Sequence, residues 1–100
     1  MATSASALAS WLVRARGRVQ GVGFREACVR EARSRAIDGW VRNRDDGTVE
    51  LLLQADADAL AAYCDWLREG SHPALVDTLD IAPMTAPFAR VDGFDRKPTA

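Results

Sequence analysis

The stretch IDGWVRNRDDGTVELLLQ, residues 37–54, reads as two strands joined by a turn. Residues 37–43 (IDGWVRN) and 48–54 (TVELLLQ) carry the β-branched, aromatic and aliphatic side chains that fit a pleated, half-buried surface. Between them, RDDG places Asp46-Gly47 at the bend, a strong hairpin signal because glycine tolerates the positive φ of a tight turn. In the second strand Val49, Leu51 and Leu53 alternate with Glu50, Leu52 and Gln54.

Outward from this hairpin, the chain alternates its period. Residues 24–35 have Phe24, Ala27, Cys28 and Ala32 on one helical face, with Glu26, Arg30, Glu31 and Arg33 elsewhere. Before them, residues 11–16 (WLVRAR) alternate as a strand with Trp11, Val13 and Ala15 on one side, and Gly17 is expected to end it. After the hairpin, residues 58–69 form a second helix with a stripe of Leu60, Cys64 and Leu67. Asp56 or Asp58 can cap it and Gly70 close it. Residues 75–81 (LVDTLDI) make a fourth strand, Pro83 and Pro87 interrupt the chain, and residues 88–94 (FARVDGF) are expected to add a short edge strand.

The order is thus β-α-β-β-α-β with one strand more, which predicts an α+β, ferredoxin-like sandwich: an antiparallel sheet, two helices on one face and a short extra edge strand. The third strand slots between the first two, which run parallel. The loop 17–25 and Asn43 then reach one edge of the sheet, although they are distant in sequence. A single domain over residues 11–97 is expected, with a disordered tail at 1–10 and a frayed tail at 98–100.

Composition narrows the function. The chain has 100 residues, 48% hydrophobic and 27% charged, as in ordinary globular proteins. Thirteen basic residues face fourteen acidic ones, for a formal net charge of −1. A dedicated nucleic-acid binder needs a basic excess, so no nucleic-acid partner is expected. An RNA-recognition domain shares the topology but needs aromatic residues on its open sheet face, and TVELLLQ has none. No stretch is long and apolar enough to span a membrane, and residues 1–10 lack the charged start and apolar run of a signal peptide. Cys28 and Cys64 sit in no metal-binding or redox motif and read as small core residues. A cytoplasmic protein is expected, and nothing in the chain demands a partner subunit, so a monomer is expected.

The segment GRVQGVGFR, residues 17–25, carries the chemistry. Its three glycines free the backbone for positive φ and close approach to a ligand. It lies between a strand and a helix start, where the first N–H groups have no internal acceptors and the macrodipole is positive. Such groups curled round a point make an anion nest. Arg25, in the first helical turn, is mildly unfavourable to the helix, and its planar fork suits two oxygens of one phosphate. The segment lacks the Lys-Ser/Thr pair of an NTPase phosphate loop and has Glu26 where a dinucleotide site needs a third glycine. By spacing alone an anion site and a tight turn with a surface arginine both stand.

GRVQGVGFR, followed by IDGWVRN, DDGTVE, a helix ending in WLREG, and LVDTLDI, resembles the acylphosphatase family from about Trp11 to Arg96. The resemblance implies that the backbone amides of Gln20, Gly21, Val22, Gly23, Phe24 and Arg25, with the Arg25 guanidinium, bind a phosphoryl group. It implies that the Asn43 side-chain amide holds the attacking water. It implies a small-molecule acyl phosphate as substrate and no metal or cofactor. The chain departs from the usual family pattern at Ala55, at Gly70-Ser71-His72-Pro73 and at Leu75, all outside the phosphate loop. Related domains also occur within larger proteins, such as carbamoyl-transferring hydrogenase maturation factors, so a non-catalytic phosphate- or ligand-binding module is the alternative.

The remaining residues read as structural. His72 is expected to be a solvated loop residue, and Trp40 and Trp66 to serve packing. Arg42 and Arg44 flank Asn43. They either raise the local potential or pair with Asp45 or Asp46 at a solvated strand end. Arg14, Arg16 and Arg18 are surface charges that salt screens.

Overall fold

The computed structural model describes residues 7–100. Residues 1–6, most of the expected N-terminal tail, lie outside the described residues. The elements follow in the order β1 (Ala9–Arg18), α1 (Phe24–Ser34), β2 (Asp38–Asn43), β3 (Val49–Ala55), α2 (Ala57–Glu69), β4 (Leu75–Pro83) and β5 (Phe94–Arg96). The sheet order is β4-β1-β3-β2-β5. β3 is antiparallel to both β1 and β2, so these two run parallel as the crossover rule requires. β5 pairs parallel to β2, which makes the sheet mixed. The fold is the expected ferredoxin-like sandwich.

The core lies between the sheet and the helices. Val13 and Ala15 of β1, Val41 of β2 and Val49, Leu51 and Leu53 of β3 are fully buried. They meet Phe24, Cys28 and Ala32 of α1 and Leu60, Cys64 and Leu67 of α2. Tyr63, missing from the apolar stripe read in the sequence, is also buried, and its hydroxyl donates to Cys28 O at 2.7 Å. Burying so large a ring between two helices requires that partner. Burial pushes the Cys28 thiol up to about 12 and the Cys64 thiol up to about 11, so both remain thiols in the core.

Several ends differ from expectation. β1 begins at Ala9, and Ser10 is buried, because Ala9 and Ser10 pair with Ala55 and Gln54. Gly17 does not stop the strand. A bulge between Arg16 and Gly17 shifts the pairing with β4, and the strand runs on to Arg18. Gly17 has φ 131, and a Cβ there would strike Leu75 O. The C-terminus is not frayed: Ala100 N donates to Asn43 O at 3.1 Å, and Asp45 N donates to Ala100 O at 3.0 Å. The extra strand is Phe94–Arg96, not residues 88–94. The chain leaves β4 at one edge and must reach the opposite edge, so residues 84–93 are spent crossing. Gln54 fastens that crossing: its Nε2 donates to Ala89 O at 2.8 Å and its Oε1 accepts from Val91 N at 2.9 Å.

The face of the sheet away from the core carries a charge row. Register sets Arg14 and Arg42 on either side of Glu50. Arg42, Arg44 and Arg14 approach the Glu50 carboxylate at 2.8, 3.2 and 3.5 Å. Burial pushes the Glu50 carboxyl up, but the Arg42 hydrogen bond and the three guanidinium charges outweigh it and hold the group below its ordinary value.

Candidate active site

The site begins where β1 ends. Val19 is buried and anchors the chain. Gln20 then turns its side chain toward the β2–β3 hairpin, where Nε2 donates to Arg44 O and Thr48 O, each at 2.8 Å. This fastens the glycine loop to the segment that follows Asn43. Gly21 and Gly23 have φ 75 and 83, in the left-handed region. A Cβ at either would meet nothing within 4 Å, so conformation rather than crowding demands glycine there.

Gly23 is the N-cap of α1 and supplies no side-chain cap. The first N–H of the helix to find a backbone acceptor is that of Ala27, which donates to Gly23 O at 3.3 Å. The N–H groups of Phe24, Arg25 and Glu26 are the orphan donors of a helix start, at the positive end of its dipole.

These groups border a hollow of about 80 Å³. Gly21, Gly23, Phe24 and Arg25 line it from the loop, and Asn43 lines it from the end of β2. A buried water needs only ~10–15 Å³ of such space, so the hollow has room for a tetrahedral oxyanion. The ion pairs among the described residues leave Arg25 without a carboxylate. Its charge is therefore available to a ligand. The Asn43 Oδ1 is buried, and among the described residues no donor reaches it. Leaving a buried acceptor unpaired costs ~1–3 kcal/mol, a cost that persists only where something else supplies the donor.

The sequence-derived residues thus divide. Arg25, Asn43, Gly21, Gly23 and Phe24 come together at the hollow. Gln20 and Val22 are not among its walls: the Gln20 side chain ties the loop to the hairpin, and Val22 packs against the core. Arg42 and Arg44 turn to Glu50 rather than to Asp45 or Asp46.

His72 is half-buried and hydrogen-bonded rather than a freely solvated loop residue. Its Nδ1 accepts from Ala74 N at 3.2 Å, so Nε2 carries the proton toward Leu67 O at 2.9 Å. Its ring lies 4.9 Å from those of Phe24 and Trp66. Glu26 and Arg96 also line the hollow and pair with each other at 3.1 Å, and the sequence reading assigned neither to the site. The Glu26 position beside Arg25 was a visible signal. Arg96 was not, because β5 pairs with β2 only through a long crossing.

Comparison with known proteins bears on the family and the fold. The family model described as Acylphosphatase matches residues 11–95. A Polaromonas naphthalenivorans protein named acylphosphatase is 54% identical over 89 residues, covering 89% of this chain and 88% of its own length. A Ralstonia nicotianae protein named acylphosphatase 1 is 52% identical over 98 residues, covering 98% and 96%. Among solved structures, the acylphosphatase from Bacillus subtilis superposes with a TM-score of 0.82 at 33% identity, over 91% of this chain and 99% of that one. With its fold, its glycine loop and nearly its whole length matched, the chain belongs to the acylphosphatase family.

Proposed function

We propose that this protein is an acylphosphatase, hydrolysing the carboxyl–phosphate bond of small acyl phosphates. The observation that carries the reading is a single small hollow bordered by the orphan amides of α1, the uncommitted guanidinium of Arg25 and the unpartnered Oδ1 of Asn43. A phosphoryl group offers acceptors only. It satisfies the amides and Arg25 but cannot satisfy Oδ1, which needs an O–H. A water placed between Asn43 and the phosphorus supplies that O–H.

The reaction then requires little else. The water oxygen forms a bond to phosphorus as the phosphorus–oxygen bond to the acyl group breaks, and the departing carboxylate keeps the electron pair. The water's proton passes to solvent or to a phosphate oxygen. A carboxylate is a stable anion at neutral pH and leaves unprotonated, so no general acid is required. What remains is neutralising the phosphoryl oxygens and holding the water in line, which Arg25, the amides of residues 20–25 and Asn43 are suited to do.

We place the enzyme in the cytoplasm as a monomer. Its two cysteines are buried and unpaired, as a reducing compartment favours. Among the described residues the large apolar side chains left exposed are Leu75 and Met84, too few for a subunit interface.

The test is turnover of acetyl phosphate without added metal. Arg25→Ala is expected to lose both turnover and inhibition by inorganic phosphate. Asn43→Ala is expected to lower kcat by about 10²–10³-fold while phosphate inhibition stays within about threefold. Phosphate binding by the wild-type protein with no turnover of any acyl phosphate would favour the non-catalytic module instead.

A further inference from the structure

The hollow is too small to hold more than the phosphoryl end of a substrate, so the acyl end must lie outside it. Beside it is a wider groove of about 300 Å³, lined by Glu26, Val29, Arg30, Arg33 and Arg96. The helical residues at 26, 29, 30 and 33 share one face of α1, and Arg96 of β5 stands opposite. Glu26 and Arg96 are walls of both spaces, so the groove begins where the hollow ends.

Three guanidiniums and one carboxylate line this groove. Arg96 holds Glu26 at 3.1 Å. Arg33 donates to Phe94 O at 3.0 Å and to Asp95 Oδ1 at 3.1 Å. Arg30 enters none of the ion pairs among the described residues. The groove therefore carries net positive charge that its own acids do not balance.

We propose that this groove receives the acyl end and selects acyl phosphates whose acyl group bears a second anionic group, bound by Arg30. The inference rests on the acylphosphatase reading and narrows its substrate class. Arg30 lies one turn beyond Glu26, ~6 Å along the helix axis at 1.5 Å per residue. That is the reach of a four- or five-carbon diacid joined through one carboxyl to phosphate.

The test compares glutaryl phosphate with its uncharged analogue pentanoyl phosphate, measuring kcat and KM at low and high salt. For the wild-type protein KM for glutaryl phosphate should be about fivefold lower at low ionic strength, with the advantage shrinking as salt rises. Arg30→Gln should remove most of the advantage and Arg30→Glu should reverse it, with pentanoyl phosphate turnover unchanged in both. Equal KM values in the wild-type protein, or an advantage that survives Arg30→Glu, overturn the proposal and leave the hydrolase reading standing. Failure of the wild-type protein to turn over either substrate overturns the hydrolase reading itself, and the proposal with it.

Discussion

Gln20 makes two hydrogen bonds that no other side chain replaces, one to Arg44 O and one to Thr48 O. Through them the glycine loop and the strand end bearing Asn43 keep a common frame. Each bond contributes ~1 kcal/mol net, so Gln20→Ala should lower unfolding stability by about 2 kcal/mol in urea titration. Because we propose that the loop also cradles the oxyanion, the same variant should weaken inhibition by inorganic phosphate. Unchanged stability and inhibition would show that the loop holds its shape unaided. The sequence pointed to Gln20 through its backbone amide. The side-chain role depends on the hairpin arriving beside it, which local spacing does not reveal. For Asn43 the family resemblance implied water positioning, and the buried, unpartnered Oδ1 is the observation on which we base that proposed role.

At the scale of elements, the end of α1 shows how a helix stops without glycine. Ile37 N donates to Ala32 O at 2.9 Å and Ala36 N to Arg33 O at 3.2 Å, the paired bonds of a Schellman turn. The turn requires a left-handed residue, and Ala36 takes it with φ 57. An L-residue there costs ~1–2 kcal/mol, partly offset on replacement by the extra freedom of glycine in the unfolded chain. Ala36→Gly should therefore raise stability by about 0.5–1 kcal/mol, seen as a higher urea midpoint with unchanged turnover. A lower midpoint would contradict the strain.

β3 gives a second case. Its alternation of apolar and polar residues predicts one exposed face, yet residues 49–54 are all buried. Glu50 is covered by three arginines and Gln54 by the crossing segment. For Glu50 the folded carboxyl titrates below its ordinary value of 4.5. Its stabilisation is thus complete above that value and is lost as pH falls through the depressed folded value. Glu50→Gln should cost about 2–4 kcal/mol at neutral pH by leaving the guanidiniums without their anion. It should also flatten the fall in stability below pH 4.5 seen in acid titration of the wild-type protein. An equally steep fall in the variant would assign the acid sensitivity elsewhere.

For the whole molecule, the two thiols test how closely the core is packed. Cys28 and Cys64 belong to the same core cluster as Tyr63, buried and with raised pKa values. Iodoacetamide at pH 8 should leave both unmodified in the native protein and label both in urea, read by mass spectrometry. Rapid native labelling of either would mean that a helix opens locally more easily than its burial implies. Hydrophobic period and turn chemistry are local properties, and they were enough to determine the order of strands and helices, the apolar helix faces, and the glycine loop with Arg25 at a helix start. They also fixed that the parallel run of β1 and β2 brings Asn43 to the same edge, because handed crossovers leave few alternatives. Only the tertiary structure decided that Arg96 and Glu26 wall the hollow, that Gln20 braces it, that His72 is tied down, and that Arg42 and Arg44 serve Glu50. Each of these depends on contacts between segments far apart in the chain, whose register and crossing path no local pattern encodes.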